Sequence, residues 1–324
     1  MNFADATAFT VVGPAAEGRR WVGREAIHDA PYPINEAQIG YFCALVEDAN
    51  ENYWDRRACE RRFGTLVSPP AMLMVWAFPT PWHPSGPPEH GPLLALEVPL
   101  PGATLINVGT DTSFHRPMRV GHRLTYRERI TDVSPAKETR LGLGHFVTTV
   151  TQVTDDEGLH VATHENVLFR FDPGTARADP AAVPPEPHPA GLDELPTVVM
   201  PVTLTRCVLD AAATRDFFPG HHDRGYARSQ GARDVYLNTM FYHGLVDRIV
   251  TDWLGPDAWI ARRRLRMVAP ACVGDVLRSS GRVAGEHPNP TDASVEVALR
   301  LATEHGTVAT ARVWVDRRGR GHGR

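Results

Sequence analysis

Nowhere does this chain carry an apolar run of the roughly 18 residues that a helix needs to cross a membrane. Nor does a long basic run precede its ordered region. The first absence argues against a membrane partner. The second, with a formal net charge of only -4, argues against nucleic acid. Cysteine is scarce too: Cys43, Cys59, Cys207 and Cys272 lie far apart, with no CxxC pair and no secretory leader. That pattern predicts reduced thiols and a cytoplasmic location. What is present is ordinary for a globular protein, 42% apolar and 22% charged residues. At 324 residues the chain is long for one core and comfortable for two.

The two cores are visible as an internal repeat. Asp48 to Met72 and Asp216 to Met240 have equal length. In each copy a helical, partly charged stretch after the Asp leads to a glycine, Gly64 or Gly231, and then a short apolar run leads to the Met. Pro117 to Leu124 answers Pro270 to Leu277, and Val161-Ala162-Thr163 answers Val308-Ala309-Thr310. Matched landmarks in one order imply two related domains in tandem. Residues 20–172 form the first and 197–316 the second. The Pro-rich segment 173–196 reads as a linker, and 317–324 as a basic, Gly-rich frayed tail rather than an RNA-binding segment. Between Pro79 and Pro101 the first copy carries eight prolines, so an inserted loop is expected there.

Within each half a helix comes first and strands follow. Asn35 to Asn50 opens on a capping residue and repeats Ile39, Phe42, Leu45 and Val46 at helical spacing. Thr239 to Leu254 does the same with Leu245, Val246, Ile249, Val250 and Trp253, and its counterpart is expected as a helix over Met72 to Phe78. Strand-like runs cover 105–115, 123–133, 145–154 and 161–171, then 263–268, 275–284, 293–303 and 307–315. A helix followed by a meander of antiparallel strands is an α+β arrangement.

On these residues the chain resembles a known family. Asp216-Phe217-Phe218-Pro219-Gly220-His221, followed by Ala227 and Asn238-Thr239-Met240, looks like the hydratase motif of MaoC-like (R)-specific enoyl-CoA hydratases and dehydratases. The resemblance implies a tandem, or double, hotdog fold in which a central helix is wrapped by an antiparallel sheet. The first half, with Asp48-Ala49-Asn50 and Ser68 to Met72, is similar to the degenerate N-terminal hotdog (FAS1-like/MaoC N-terminal type) of double-hotdog members. The runs Leu100 to Ala103, Phe114 to Pro117 and Gly144 to Val150 look closest to actinobacterial hydratases of steroid side-chain CoA esters.

Adding water across an α,β-unsaturated thioester needs one group to take a proton from water and a donor to deliver one to the α carbon. An Asp and a neutral His gripping one water can do both. Asp216 and His221 are therefore the candidate acid/base pair. Asn238 and Thr239, at a helix start, are candidate backbone donors to the thioester oxygen. Two departures stand out. The motif's Asn is Phe218, and the first half has Tyr53 where the second has His221. A phenol cannot replace imidazole as a base near neutrality, so one centre per chain is expected, with the first half as pocket wall and pseudo-dimer partner.

Arg262, Arg264 and Arg266 could meet coenzyme A phosphates or form a solvated strand face. Tyr53, Trp76 and Trp82 could line an acyl pocket or pack in the core. His221-His222-Asp223 invites a metal, but no further ligand cluster at metal spacing accompanies it, so none is expected. The expected activity is hydration of a trans-2-enoyl-CoA ester or the reverse dehydration. No redox cofactor is consumed, coenzyme A arrives as part of the substrate, and further homodimerisation is open. The rival readings are a dehydratase on acyl-carrier-protein thioesters and a non-catalytic thioester-binding scaffold.

Overall fold

The structure, a computed structural model, describes residues 10–84, 86, 93–172, 195–286 and 294–316. The expected linker lies outside the described residues save Leu195 and Pro196, and the basic tail lies wholly outside them.

One 11-stranded sheet runs through both halves. The first half supplies β1 (Glu25–Asp29), β2 (Thr104–Phe114), β3 (Thr125–Val133), β4 (Gly142–Thr154) and β5 (His160–Asp172), and the second β6 (Val199–Pro201), β7 (Trp259–Met267), β8 (Val276–Glu286), β9 (Ser294–Thr303) and β10 (Gly306–Asp316). The spatial order is β1-β3-β4-β5-β2-β7-β10-β9-β8-β6, with a short strand Lys137–Thr139 beside β4. From either edge inward the order is the same, so the halves are related as the repeat implies. They join where β2 pairs antiparallel with β7, Ser113 opposite Arg262 and Gly109 opposite Arg266. The eight longest strands overlap those expected from alternation, and the arrangement is the expected α+β double hotdog.

The helices α1 (Glu36–Val46), α2 (Leu204–Thr214) and α3 (Thr239–Leu254) lie against this sheet. Residues 240–247 of α3 are buried without interruption, because the sheet and the other helices enclose this stretch. Leu245, Val246, Ile249 and Val250 are at most 2% exposed, and burying each contributes roughly 1.5–3 kcal/mol. Gly244 admits Phe42 of α1: a Cβ there would stand 2.8 Å from the phenylalanine ring.

The expected helix over Met72 to Phe78 does not form. Two 3-10 turns, Pro70–Met72 and Val75–Ala77, take its place. Pro69 and Pro70 lack amide hydrogens, and Pro79 holds Phe78 extended, so too few residues remain between them to nucleate a stable helix. Conversely, α2 was not expected from its own residues. Its buried positions are Cys207, Asp210, Ala211, Ala213 and Thr214, too small or polar to make an apolar stripe.

Glu128 on β3 is 2% exposed, and its Oε2 accepts from the Leu94 amide at 2.7 Å. Burial pushes its carboxyl up to about 7, the Leu94 hydrogen bond opposing. The native state thus holds this proton more tightly than the unfolded chain does. The associated stability is fully present below the ordinary value near 4.5 and lost as pH rises through 7. Glu128→Gln, permanently neutral, is expected to exceed the wild type by up to about 3 kcal/mol at pH 8 and to match it at pH 4. Urea denaturation at the two pH values measures this, and equal stabilities at pH 8 would contradict it.

Candidate active site

The candidate dyad follows directly from how α2 ends. Thr214 closes the helix, and Arg215 turns the chain in the left-handed region at φ 58. Its guanidinium is held by the first half: Nη2 donates to the Val75 carbonyl at 2.6 Å, and the Trp76 and Tyr32 rings lie 5.7 and 5.8 Å from its Cζ. Asp216 follows, and its Oδ1 accepts from the Phe218 amide at 3.2 Å. The first half repeats this turn. Glu47 ends α1 at φ 56, and Asp48 Oδ1 accepts from the Asn50 amide at 2.9 Å.

His221 ends the 3-10 turn Pro219–His221, and its side chain is 8% exposed. Its Nδ1 lies 2.8 Å from the Tyr236 carbonyl. A carbonyl only accepts, so Nδ1 carries the hydrogen, and in the neutral ring Nε2 presents its lone pair. That Nε2 stands 3.6 Å from Asp216 Oδ2, whose side chain is 19% exposed. Two acceptors at this separation can each receive a hydrogen from one water between them.

Phe218, where the motif has Asn, contributes in two ways. Its amide fixes Asp216, and its ring packs at 5.5 Å from the His221 ring and edge-on at 5.4 Å against Tyr226. Tyr236 closes the other side of the imidazole, 5.0 Å away and edge-on. Gly220 permits this closeness, since a Cβ would come within 2.5 Å of the Tyr236 hydroxyl and 2.9 Å of the Phe218 ring. Gly220→Ala must therefore displace both clamps of the imidazole. It is expected to lower kcat about 100-fold through misplacement of the base, and steady-state kinetics on purified, folded variant would show whether it does.

Asn238 caps α3, its Oδ1 accepting from the Phe241 amide at 3.0 Å. Its own backbone N–H donates to Asp210 Oδ2 at 2.7 Å and so is not free for a ligand. The expectation that Asn238 offers that N–H is corrected. Thr239 lies in the first turn of α3, where amides lack intrahelical acceptors, so its N–H remains the candidate. Asp210 itself is fully buried. Burial pushes its carboxyl well above the ordinary range, the Asn238 amide opposing and the Asp216 charge adding.

The other candidates sit elsewhere. Arg262, Arg264 and Arg266 alternate along β7 with Arg263 and Leu265, which face α3 and the core, so the three point to the opposite face of the sheet. There Asp111 binds Arg262 through both carboxylate oxygens and also receives Arg264 at 2.7 Å. The structure does not bring them to the dyad. Trp76 is fully buried, donates to Ser68 Oγ and supports Arg215 rather than an open pocket, and Trp82 is exposed. Tyr53 does line a cavity of about 450 Å³, with Asn50, Ser68, Phe114 and Trp259, at the first half's counterpart of the dyad. His222 Nε2 meets the Phe217 carbonyl, and Asp223 caps the helix Arg224–Ser229. Arg215, Tyr236, Asp210 and Thr214 were missed. The repeat could have pointed to Arg215 as the partner of Glu47, whereas nothing in the sequence marks Tyr236.

Comparison with known proteins bears on the family and the fold. Residues 20–164 match the family described as FAS1-like, dehydratase domain region. Over 79 residues, 24% of this chain, it is 46% identical to the 3-oxo-4,17-pregnadiene-20-carboxyl-CoA hydratase beta subunit of Mycobacterium tuberculosis, covering 61% of that protein. Over 163 residues, 47% of this chain, it is 32% identical to a probable enoyl-CoA hydratase alpha subunit of Thermomonospora curvata, covering 50% of it. The chain thus spans about half to three fifths of the length of these curated relatives. Among solved structures, a MaoC-like dehydratase superposes with a TM-score of 0.72 at 19% identity, covering 92% of this chain and 99% of that one. A Mycobacterium tuberculosis protein described as having a double hotdog fold superposes with a TM-score of 0.64 at 15% identity, covering 91% of this chain and 96% of that one. These two likenesses speak to the fold.

Proposed function

We propose, for a chain whose residues 20–164 are a FAS1-like dehydratase region within a MaoC-like double hotdog, that it hydrates trans-2-enoyl-CoA thioesters to 3-hydroxyacyl-CoA or runs the reverse dehydration. The observation that carries this is the pairing of Asp216 Oδ2 with an Nε2 lone pair 3.6 Å away, fixed by the Tyr236 carbonyl behind the ring. Water held by both loses one proton to the pair while its oxygen bonds the β carbon. The π electrons move onto the thioester oxygen, where the Thr239 N–H and the positive end of α3 stabilise them. The pair then returns the proton to the α carbon, so that H and OH have been added and the pair is restored. The chemistry consumes no redox cofactor, and coenzyme A enters only as part of the substrate. The first half, with Tyr53 in the histidine's place, acts as intramolecular partner.

The product configuration is R, and the preferred acyl group is bulky, a steroid side chain being the foremost candidate. Two observations support bulk: the curated relatives' names, and a first half in which 3-10 turns replace a central helix. A panel of crotonyl, long-chain and steroid side-chain enoyl-CoA esters, followed by loss of enoyl absorbance and chiral analysis of product, tests all three claims. Turnover of acyl-carrier-protein thioesters alone would replace the carrier, and tight binding of enoyl-CoA without turnover would make the chain a scaffold.

A further inference from the structure

Asp210 stands out among the buried acids. It is 0% exposed, and one carboxylate oxygen, Oδ1, has no hydrogen-bonding partner among the described residues. The other accepts the Asn238 N–H at 2.7 Å, at the cap of α3. Thr214, one turn later on α2, completes the connection. Its hydroxyl donates to the Asp210 carbonyl at 2.6 Å and accepts from Asn238 Nδ2 at 2.6 Å, and the Asp216 amide lies 3.4 Å from the same oxygen. One turn of helix therefore ties the residue before Thr239 to the residue that carries the Asp216 carboxylate.

The retired half provides an internal control. At the offset that relates Asp48 to Asp216, the counterparts of Asp210, Thr214 and Asn238 are Phe42, Val46 and Pro70. All three polar groups are replaced together, and proline has no N–H for an acid to receive. Phe42 and Val46 sit in the apolar core, at 1% and 0% exposure. The polar set thus occurs only in the half that has the imidazole. A folded hotdog half does without it, although burying an acid with one oxygen unmatched is unfavourable. A role limited to holding the fold accounts poorly for that distribution.

We infer that Asp210 is a positioning residue: through Asn238 and Thr214 it locks the start of α3, and so the Thr239 N–H, in register with the Asp216–His221 pair. This rests on the hydratase reading for its chemistry but not for its geometry. The bond to Asp210 draws the Asn238 amide into α2, which sets the direction of the next amide along the chain. Without it the first turn of α3 could rotate or fray, and the thioester oxygen would lose a donor aimed in advance of the reaction.

The test compares Asp210→Asn, whose amide oxygen can still accept from Asn238, with Asp210→Leu, which cannot. Steady-state kinetics on the best enoyl-CoA ester and amide hydrogen exchange at residues 238–240 are read on each, at a temperature where both are folded. Asp210→Leu is expected to lower kcat about 10- to 100-fold with KM little changed and to speed exchange of the Asn238 amide. Asp210→Asn should stay within about threefold of wild type in kcat, with its amide still protected. If Asp210→Leu does not fold, Thr214→Val, which copies the retired half, is read the same way. Unchanged kcat and exchange in the leucine variant would overturn the inference, as would equal losses in both Asp210 variants. A wild type silent toward every thioester would refute the hydratase reading instead. Exchange at Asn238 would then decide the positioning claim by itself.

Discussion

Asp216→Asn is expected to lower kcat for enoyl-CoA hydration by about 10²- to 10⁴-fold, the range of a general acid/base in a positioned site. The change is nearly isosteric, and the Asn side-chain oxygen can still accept the Phe218 amide that Asp216 Oδ1 accepts at 3.2 Å. Loop geometry should therefore persist and KM should move little. What disappears is the second acceptor for the water, because the amide group that replaces Oδ2 offers hydrogens where the carboxylate offered lone pairs. His221→Gln should cost as much, since it removes the Nε2 lone pair 3.6 Å from Asp216. The two residues act on one water, so the double variant should be hardly worse than either single one. Single-turnover and steady-state rates on the preferred ester, with circular dichroism to confirm folding, make the comparison. If Asp216→Asn retained full kcat, the proposed water site would be wrong, whatever the fold.

The largest effect on stability is expected midway along α3. Arg263 on β7 and Asp247 on α3 are 1% and 4% exposed and form an ion pair, with the Phe114 ring 5.3 Å from the guanidinium carbon. Burial pushes Asp247 upward, with Arg263 opposing. The pair also sits beside His243 and His164, which meet the Thr110 and Thr112 hydroxyls of β2 at 2.9 and 2.8 Å. Burial and the Arg263 charge depress both imidazoles. The His243–Thr110 contact links the second half's helix to β2 of the first, and the ion pair ties that helix to β7 of its own half. Arg263→Ala leaves a carboxylate in the core without its counter-charge and should cost about 3–5 kcal/mol. Replacing both members by apolar residues, Arg263→Met with Asp247→Leu, should cost far less, because no uncompensated charge remains. Chemical denaturation of the wild type and these two variants distinguishes these outcomes. Equal losses in the single and double variants would mean that packing, not charge, governs the site.

Much of the molecule was legible because it was written twice. Strand after strand appeared where alternation placed it, and α3 matched its expected span from Thr239 to Leu254. The repeat also distinguishes a half with His221 at the motif position from a half with Tyr53 there. Misreadings arose where local pattern and tertiary context disagreed. The helix over Met72 to Phe78 fails because prolines on both sides limit it. α2 was passed over because it turns small and polar residues inward. The arginines of β7 read as a cluster along the chain, yet strand alternation sends Arg263 inward to Asp247 and its neighbours outward to Asp111.

The sequence by itself determined the tandem repeat, the α+β pattern and which residues are the candidate dyad, because periodicity and a repeated motif are properties of residue order. Only the tertiary structure decided which imidazole nitrogen is free, that Phe218 and Tyr236 clamp the ring, and that Asn238 gives its N–H to Asp210. Hydrogen-bond partners are chosen by distance and direction between groups remote along the chain, and no spacing in the sequence encodes a carbonyl's direction.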